Sequence, residues 1–247
     1  MTRSSQIIAG NWKMNLTLSQ GREFVATLKS YLEKGSVSRR VLLAPNFTLL
    51  AELAGLCAGS GIMLAAQNCA PQESGAFTGE TSVAMLKDAG ASHVLVGHSE
   101  RRQIFGEDDS LLCAKLGAVA RAGLVPILCV GETLEQRREG RALEIVISQL
   151  QADLVEFTEG ELIVAYEPVW AIGTGQTATP ADASDMHAGI REFLLERFAF
   201  GREIPILYGG SAKPDNAAEL LAQPEINGLL VGGASLRPET FWQIITA

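Results

Sequence analysis

One glutamate stands at the end of an apolar segment in the second half of the sequence. Residues 162–166 have the length and composition of a buried strand, and alternation places Ile163, Ala165 and Glu167 on one face. Pro168 ends this strand, because proline cannot donate to a continuing ladder. A carboxylate held at a strand end can act as a general base. A capping glutamate before an ordinary surface loop fits these residues equally well.

Two polar groups that can stabilise negative charge follow the first apolar segment. Asn11 ends the predicted strand 7–11, and Lys13 comes two residues later, so both side chains can face the same way. A lysine beside a strand end is more often a solvated surface charge. Lys13 would, however, be the cation nearest to the other polar residues at the strand ends, in a protein with a net negative charge. This favours a role in binding an anion.

Only one of the three histidines follows the carboxyl end of a predicted strand. It is His98, whereas His93 begins that strand and His187 lies in a predicted helix. Ser99 and Glu100 can begin a helix whose exposed N–H groups oppose positive charge and favour a neutral imidazole. A histidine that only packs or caps at this position is the alternative.

Two pairs of glycines each lie between a predicted strand and a predicted helix. Gly209 and Gly210 precede Ser211, and Gly232 and Gly233 follow the last predicted strand. The N–H groups at such a helix start bind phosphate. One glycine pair is often just a tight turn, but two pairs at neighbouring strand ends favour a phosphate site.

Strand-like and helix-like segments alternate along the whole chain without a linker. The predicted strands are 7–11, 41–44, 62–67, 93–97, 125–130, 162–166, 206–208 and 228–231. Because helical spacing follows each of them, we expect eight parallel strands with outer helices, closed into a (β/α)8 TIM barrel that forms a single domain over residues 1–247. A doubly wound open sheet is the alternative. The even number of strands and the lack of a GxGxxG motif after the first strand disfavour it.

Composition narrows the class of protein further. The 247 residues are 47% hydrophobic and 19% charged, with a formal charge of −8 and no run of more than two Lys or Arg, which argues against a nucleic-acid partner. No apolar run approaches the ~18 residues of a spanning helix, and the start is unlike a signal peptide, so we expect a cytoplasmic protein without a membrane partner. Metal-ligand spacing is absent from the cysteines, and we expect neither a metal nor a disulfide there. They are Cys57, Cys69, Cys113 and Cys129.

Residues 68–80 interrupt the alternation of strands and helices. Turn-forming residues surround Pro71, Gly75 and Gly79, and Phe77 is a large apolar residue between those glycines. Loops of this length in a compact domain usually carry function or form an interface.

The motifs around these residues resemble those of the triosephosphate isomerase family from one end of the chain to the other. The five matching runs are GNWKMN at 10–15, GHSERR at 97–102, YEPVWAIGTG at 166–175, YGGS at 208–211 and GGASL at 232–236. Their number and order make the resemblance highly specific. The departures are peripheral, since Asn46 and Val83 stand where members of the family commonly have proline.

The resemblance implies interconversion of dihydroxyacetone phosphate and glyceraldehyde 3-phosphate through an enediolate, with no metal or organic cofactor. It implies that Glu167 is the base and that His98 is a neutral electrophile, a pairing for which this family is itself the established example. Asn11 and Lys13 would polarise the substrate, with Ser99 and Glu100 in support. The implied phosphate ligands are Gly173, Ser211, Gly232 and Gly233.

A lid and a homodimer also follow from the resemblance. Phe77 and Thr78 would belong to an arm that docks near Asn11 and Lys13 of the partner subunit. The implied lid consists of Pro168, Val169, Trp170, Ala171, Ile172, Gly173, Thr174, Gly175, Gln176 and Thr177.

Two other functions fit parts of the same pattern. Another sugar-phosphate isomerase or lyase on this barrel would share the phosphate loops, but it would need a larger pocket and a second acid. A non-catalytic protein that binds phosphate ligands would be expected to lack one of Lys13, His98 and Glu167, and all three are present.

Overall fold

The strands form a closed barrel in the computed structural model, which describes residues 6–35, 37–171 and 178–247. Each strand pairs in parallel with the next one in sequence, and the last pairs with the first. A sheet closed in this way has no edge, so the predicted barrel is confirmed and the open sheet is excluded. The strands are β1 Ile7–Asn11, β2 Arg40–Ala44, β3 Ile62–Ala66, β4 His93–Val96, β5 Val125–Val130, β6 Ile163–Tyr166, β7 Ile206–Tyr208 and β8 Gly228–Val231.

Helices lie between the strands, and several begin at a residue whose side chain caps the helix. Asn46, one of the departures from the family pattern, accepts a hydrogen bond from the Thr48 N–H at 2.9 Å. None of the helices within the described ranges is long and apolar enough to cross a membrane. The α-helices are α1 Leu18–Lys34, α2 Phe47–Cys57, α3 Val83–Asp88, α4 Ser99–Gln103, α5 Asp109–Arg121, α6 Leu134–Arg138, α7 Ala142–Asp153, α8 Pro180–Arg197, α9 Pro214–Ala222 and α10 Pro238–Ile245. The described residues also form two short 3-10 helices that the sequence did not predict, Val169–Ala171 and Gly233–Leu236.

Alternate residues of the strands fill two separate apolar layers. One set points into the barrel, where Ile7, Leu42 and Ile127 pack with the smaller Cys129 and Ala165 nearer the carboxyl ends. The other set packs outward against the helices. The carboxyl ends of all eight strands therefore meet above an apolar plug, and polar side chains just beyond those ends share one mouth of the barrel.

Hydrogen bonds of Arg39 at the opposite mouth join Gln6 to residues 245 and 247. The Arg39 guanidinium donates to the carbonyls of Ile245 and Ala247, both at 2.6 Å, and its Nε donates to Gln6 Oε1 at 3.1 Å. The Gln6 amide donates to the Leu221 carbonyl at 2.9 Å. The Arg39 guanidinium and the Gln6 amide at this mouth are therefore already hydrogen-bonded to other groups of the protein.

Candidate active site

A cavity of about 330 Å³ opens at the carboxyl ends of the strands. It brings together almost every residue predicted to do chemistry or to bind phosphate. The exception is Gly173, which lies outside the described residues. The predicted residues that line the cavity are Asn11, Lys13, His98, Glu167, Ser211, Gly232 and Gly233.

Glu167 follows β6 and is 2% exposed. Its Oε2 accepts a hydrogen bond from the Ser99 N–H at 2.8 Å, and its Oε1 lies 3.0 Å from His98 Nε2. A Cβ added to Gly209 would come within 2.9 Å of the Glu167 Cγ, so a glycine is needed where this loop passes beneath the carboxylate. Burial raises the pKa of Glu167, but the contacts with His98, the Ser99 N–H and Lys13 lower it, and the pKa lies below the ordinary value. The buried carboxyl group is therefore ionised near neutral pH.

His98 reaches the cavity because the backbone turns just before it. Alternation along β4 gives His98 the parity of Val94 and Val96, which both pack in the outer layer against the helices. Gly97 has φ 73°, in the left-handed region that glycine adopts without strain, and this residue breaks the alternation. His98 then turns inward and stands at the N-cap of α4.

Two hydrogen bonds define the protonation of the His98 ring. Nδ1 accepts from the Glu100 N–H at 3.3 Å, so the ring proton is on Nε2, which faces Glu167 Oε1. Burial lowers the pKa of His98, while the charge and the hydrogen bond of Glu167 together raise it, and the pKa lies above the ordinary histidine value. The Glu167 carboxylate is thus the main group that favours protonation of this ring, and the Glu100 carboxylate adds a smaller effect that also raises the pKa of His98.

Lys13 is held in a conformation that lysine rarely adopts. Its φ is 52°, and a non-glycine residue in this region costs on the order of 1 kcal/mol or more. Its N–H donates to Asn11 Oδ1 at 3.0 Å, and its carbonyl accepts from Gln67 Nε2 at 2.9 Å. The Lys13 ammonium lies 2.6 Å from Glu100 Oε1. Gln67 was missed at the sequence level, and the signal available was a polar residue at the end of the predicted strand 62–67.

Both glycine loops also line the cavity. Gly233 begins a 3-10 helix, so its N–H has no acceptor within that helix, and a Cβ added there would meet nothing within 4 Å. Ser211 lies just before α9, and its carbonyl accepts from Asn216 Nδ2 at 3.0 Å. Lys213 also lines the cavity. It was not predicted, although a cation two residues after Ser211 was a visible signal.

The sequence model of the family described as triosephosphate isomerase matches residues 6–247. The chain belongs to the triosephosphate isomerase family. A triosephosphate isomerase from Chloroflexus aurantiacus is 50% identical, and the match covers 97% of each chain. One from Idiomarina loihiensis is 48% identical over 100% of this chain and 99% of the relative, and one from Roseiflexus sp. is 50% identical over 97% and 96%. The resemblance inferred from the five motifs is confirmed.

The part of the predicted lid that the structure describes, residues 168–171, is hydrogen-bonded to the buried Glu132. After Pro168, the 3-10 helix Val169–Ala171 carries Trp170, whose Nε1 donates to Glu132 Oε1 at 2.8 Å. The Tyr166 hydroxyl donates to the same oxygen at 3.1 Å. Glu132 was missed at the sequence level, where it is one polar residue shortly after β5. Outside the described residues lie Ile172, Gly173, Thr174, Gly175, Gln176 and Thr177.

The predicted dimer arm, residues 68–80, projects from the barrel on a closed base. The Ala70 N–H donates to the Thr81 carbonyl at 2.9 Å, and most of the arm beyond it is exposed. Phe77 is 46% exposed, and Thr78 is exposed beside it. A second cavity of about 220 Å³ lies close to the first, and Asn11, Lys13 and His98 line both.

Proposed function

We propose that this chain interconverts dihydroxyacetone phosphate and glyceraldehyde 3-phosphate through an enediolate. The observation that carries this proposal is the Glu167 carboxylate, buried and ionised, 3.0 Å from the Nε2 of His98 in the cavity that also contains the glycine loops. The family membership supports the same reaction.

The reaction takes a proton from the carbon beside a carbonyl group and returns it to the neighbouring carbon. One carboxylate can do both, and Glu167 is the only carboxylate among the described residues that line the cavity. A lyase or isomerase that needs a second acid is disfavoured for this reason.

His98, Lys13 and Asn11 stabilise the charge that develops on the two oxygens of the enediolate. When Glu167 accepts the substrate proton, it loses the negative charge that raises the pKa of His98. Burial and the Glu100 N–H then favour the neutral ring. His98 therefore acts as a neutral N–H donor during proton transfer, which agrees with the expectation from the sequence.

The N–H groups of Ser211, Gly232 and Gly233 would hold the phosphate, which takes no part in the proton transfer. Its binding energy serves instead to position the substrate and to exclude water from the cavity. We infer that the lid, Pro168 to Thr177 with Gly173 as a further phosphate ligand, covers the bound substrate. The attachment of Trp170 to Glu132 supports a defined position for the start of this segment.

A coupled assay of the purified chain with glyceraldehyde 3-phosphate tests the proposed activity. We expect rapid formation of dihydroxyacetone phosphate and no turnover of five-carbon or six-carbon sugar phosphates. Turnover of the larger phosphates alone would favour the second enzyme class. Binding of glycerol 3-phosphate without any turnover would favour a non-catalytic binding protein.

We infer that the chain forms a homodimer through the arm and the second cavity. Large apolar side chains are exposed around this cavity, with Met14 93%, Phe105 64% and Phe47 40% exposed. The cavity borders Lys13 and His98, so an arm from a second copy would complete the wall of the active site. Phe77 supplies an apolar group that such a cavity can bury.

Introducing charge into the arm should separate the subunits. Replacing Phe77 and Thr78 by Glu should give folded monomers with activity lowered at least tenfold, because desolvating two carboxylates opposes burial of the arm. Sedimentation velocity and a parallel activity assay give the two readouts. Leu195→Glu, at an exposed apolar site on α8, is the matched control and should remain a dimer. A double variant that stays dimeric, or a fully active monomer, would contradict the inference.

Two further inferences concern the chain as a whole. Residues 1–247 would form one barrel domain, which is supported by the pairing of β1 with β8 and by the attachment of Arg39 to the carbonyls of Ile245 and Ala247. A cytoplasmic location is supported by four buried cysteines that are all free thiols.

A further inference from the structure

Two lysines, Lys13 and Lys213, line the active-site cavity, and they differ in whether their charge is paired. Lys213 lines the cavity next to Ser211, and it forms no ion pair with any residue in the described ranges. We propose that Lys213 supplies the unpaired positive charge that attracts the substrate phosphate and helps to hold it. This inference rests on the proposed function and adds a binding residue to it.

The charge of Lys13 is already paired, because its ammonium is 2.6 Å from Glu100 Oε1 and the pair is formally neutral. Glu167 adds one negative charge, and His98 is neutral when it acts as a donor. Lys213 therefore balances Glu167, and without Lys213 the mouth of the cavity is net negative. A phosphate ester carries close to two negative charges at neutral pH and approaches a chain with a formal charge of −8. A local positive charge is needed to offset that repulsion.

The backbone of Lys213 is fixed to the proposed phosphate site. Its N–H donates to Asn216 Oδ1 at 2.8 Å, and the Asn216 amide donates to the Ser211 carbonyl at 3.0 Å. The Lys213 side chain is exposed, and it does not cap α9 by a hydrogen bond. The Cα is thus held close to Ser211, while the charge can be removed with little effect on folding.

The test compares Lys213→Gln with Lys34→Gln. α1 leads back from the end of β1 to the start of β2, so Lys34 in its last turn lies exposed at the opposite mouth of the barrel. Both variants change the net charge equally. The readouts are kcat and KM for glyceraldehyde 3-phosphate and the inhibition constant of glycerol 3-phosphate, an unreactive phosphate ester.

At an ionic strength of about 10 mM, Lys213→Gln should raise KM and the inhibition constant roughly tenfold and change kcat less than about twofold. At about 0.3 M the difference should shrink to roughly twofold, because salt screens an exposed charge. Lys213→Arg should restore both constants, and Lys34→Gln should resemble the unmodified protein. Turnover of glyceraldehyde, which has no phosphate, should be the same in all variants.

Three results would overturn the proposal. They are equal constants for Lys213→Gln and Lys34→Gln at low salt, an effect that does not depend on salt, and an equal loss with glyceraldehyde. Circular dichroism checks folding, and Lys213→Met serves as a second neutral variant if Lys213→Gln is unstable. If the unmodified chain failed to isomerise glyceraldehyde 3-phosphate, the proposed function would fail, while binding of glycerol 3-phosphate would still test Lys213.

Discussion

Strand β4 has a buried histidine at each end, and the two differ in the charge that faces them. His93, at the N-terminal mouth, is 2% exposed, with its Nε2 3.5 Å from the Arg40 guanidinium and its Nδ1 2.8 Å from Ser92 Oγ. Burial, followed by the charge of Arg40, lowers the pKa of His93 to about 4. His98, beyond the carboxyl end of the strand, is 6% exposed and faces the Glu167 carboxylate, which raises its pKa.

The comparison shows that burial and residue type do not decide what a histidine does in this barrel. His93 bonds to groups of the protein, at a mouth where Arg39 and Gln6 also bind backbone carbonyls. His98 faces a cavity, beside a carboxylate whose charge changes when a proton is transferred. One end of β4 therefore contributes to stability and the other can contribute to catalysis.

The largest expected difference is in turnover. His98→Gln should lower kcat by about 10²- to 10³-fold, the usual cost of losing a donor to a developing oxyanion. His93→Gln should keep kcat within about threefold, because His93 lies on the far side of the apolar plug. Steady-state assays of both folded variants measure the effect. Similar losses of kcat from the two substitutions would mean that catalysis does not depend specifically on the histidine at the carboxyl ends of the strands.

The next effect is the loss of stability in acid. The pKa of His93 is lowered from 6.5 to about 4 on folding, so the unfolded chain binds more protons in this window. The stability that neutral His93 contributes is complete above pH 6.5 and is lost as the pH falls towards 4. A shift of this size corresponds to about 3 kcal/mol. Urea unfolding of the unmodified protein and His93→Gln across this window should show a flatter pH dependence for the variant; parallel curves would contradict the assignment.

The smallest effect has the opposite sign and comes from His98. Its pKa is raised on folding, so its ion pair with Glu167 stabilises the protein fully below the unfolded value of 6.5 and is lost as the pH rises through the folded value. Unfolding free energies of the unmodified protein should therefore decline more on the alkaline side than those of His98→Gln. An identical alkaline slope would indicate that Glu167 does not raise the pKa of this ring.

Much of the fold could be predicted because it depends on local signals. Short apolar runs, the helical spacing between them, Pro168 after β6 and the two glycine pairs all predict where elements begin and end. The barrel and the family predicted from these signals were confirmed by the closed sheet and by the match to the family model. The residues selected for chemistry also meet in one cavity, since the carboxyl ends of parallel strands must gather at one mouth.

The remaining features depend on contacts between distant parts of the chain. Gln67 holds the Lys13 carbonyl across 54 positions, and Glu132 accepts from Tyr166 across 34. No local pattern marks a polar residue that supports another one in this way. The alternation of side chains along β4 also could not predict that His98 faces the cavity, because the left-handed backbone of Gly97 interrupts this alternation.

Glu167 is proposed to move the substrate proton, and exchange of that proton with solvent deuterium reports on this step. When the chain turns over dihydroxyacetone phosphate in D2O, ¹H NMR should show deuterium entering at the carbon beside the carbonyl group. Glu167→Gln keeps the size of the side chain and loses the base, so exchange should slow by on the order of 10²- to 10⁴-fold while glycerol 3-phosphate still binds. His93→Gln, at the other mouth, should exchange at close to the unmodified rate. Exchange by folded Glu167→Gln at more than about a tenth of the unmodified rate would mean that Glu167 is not the base.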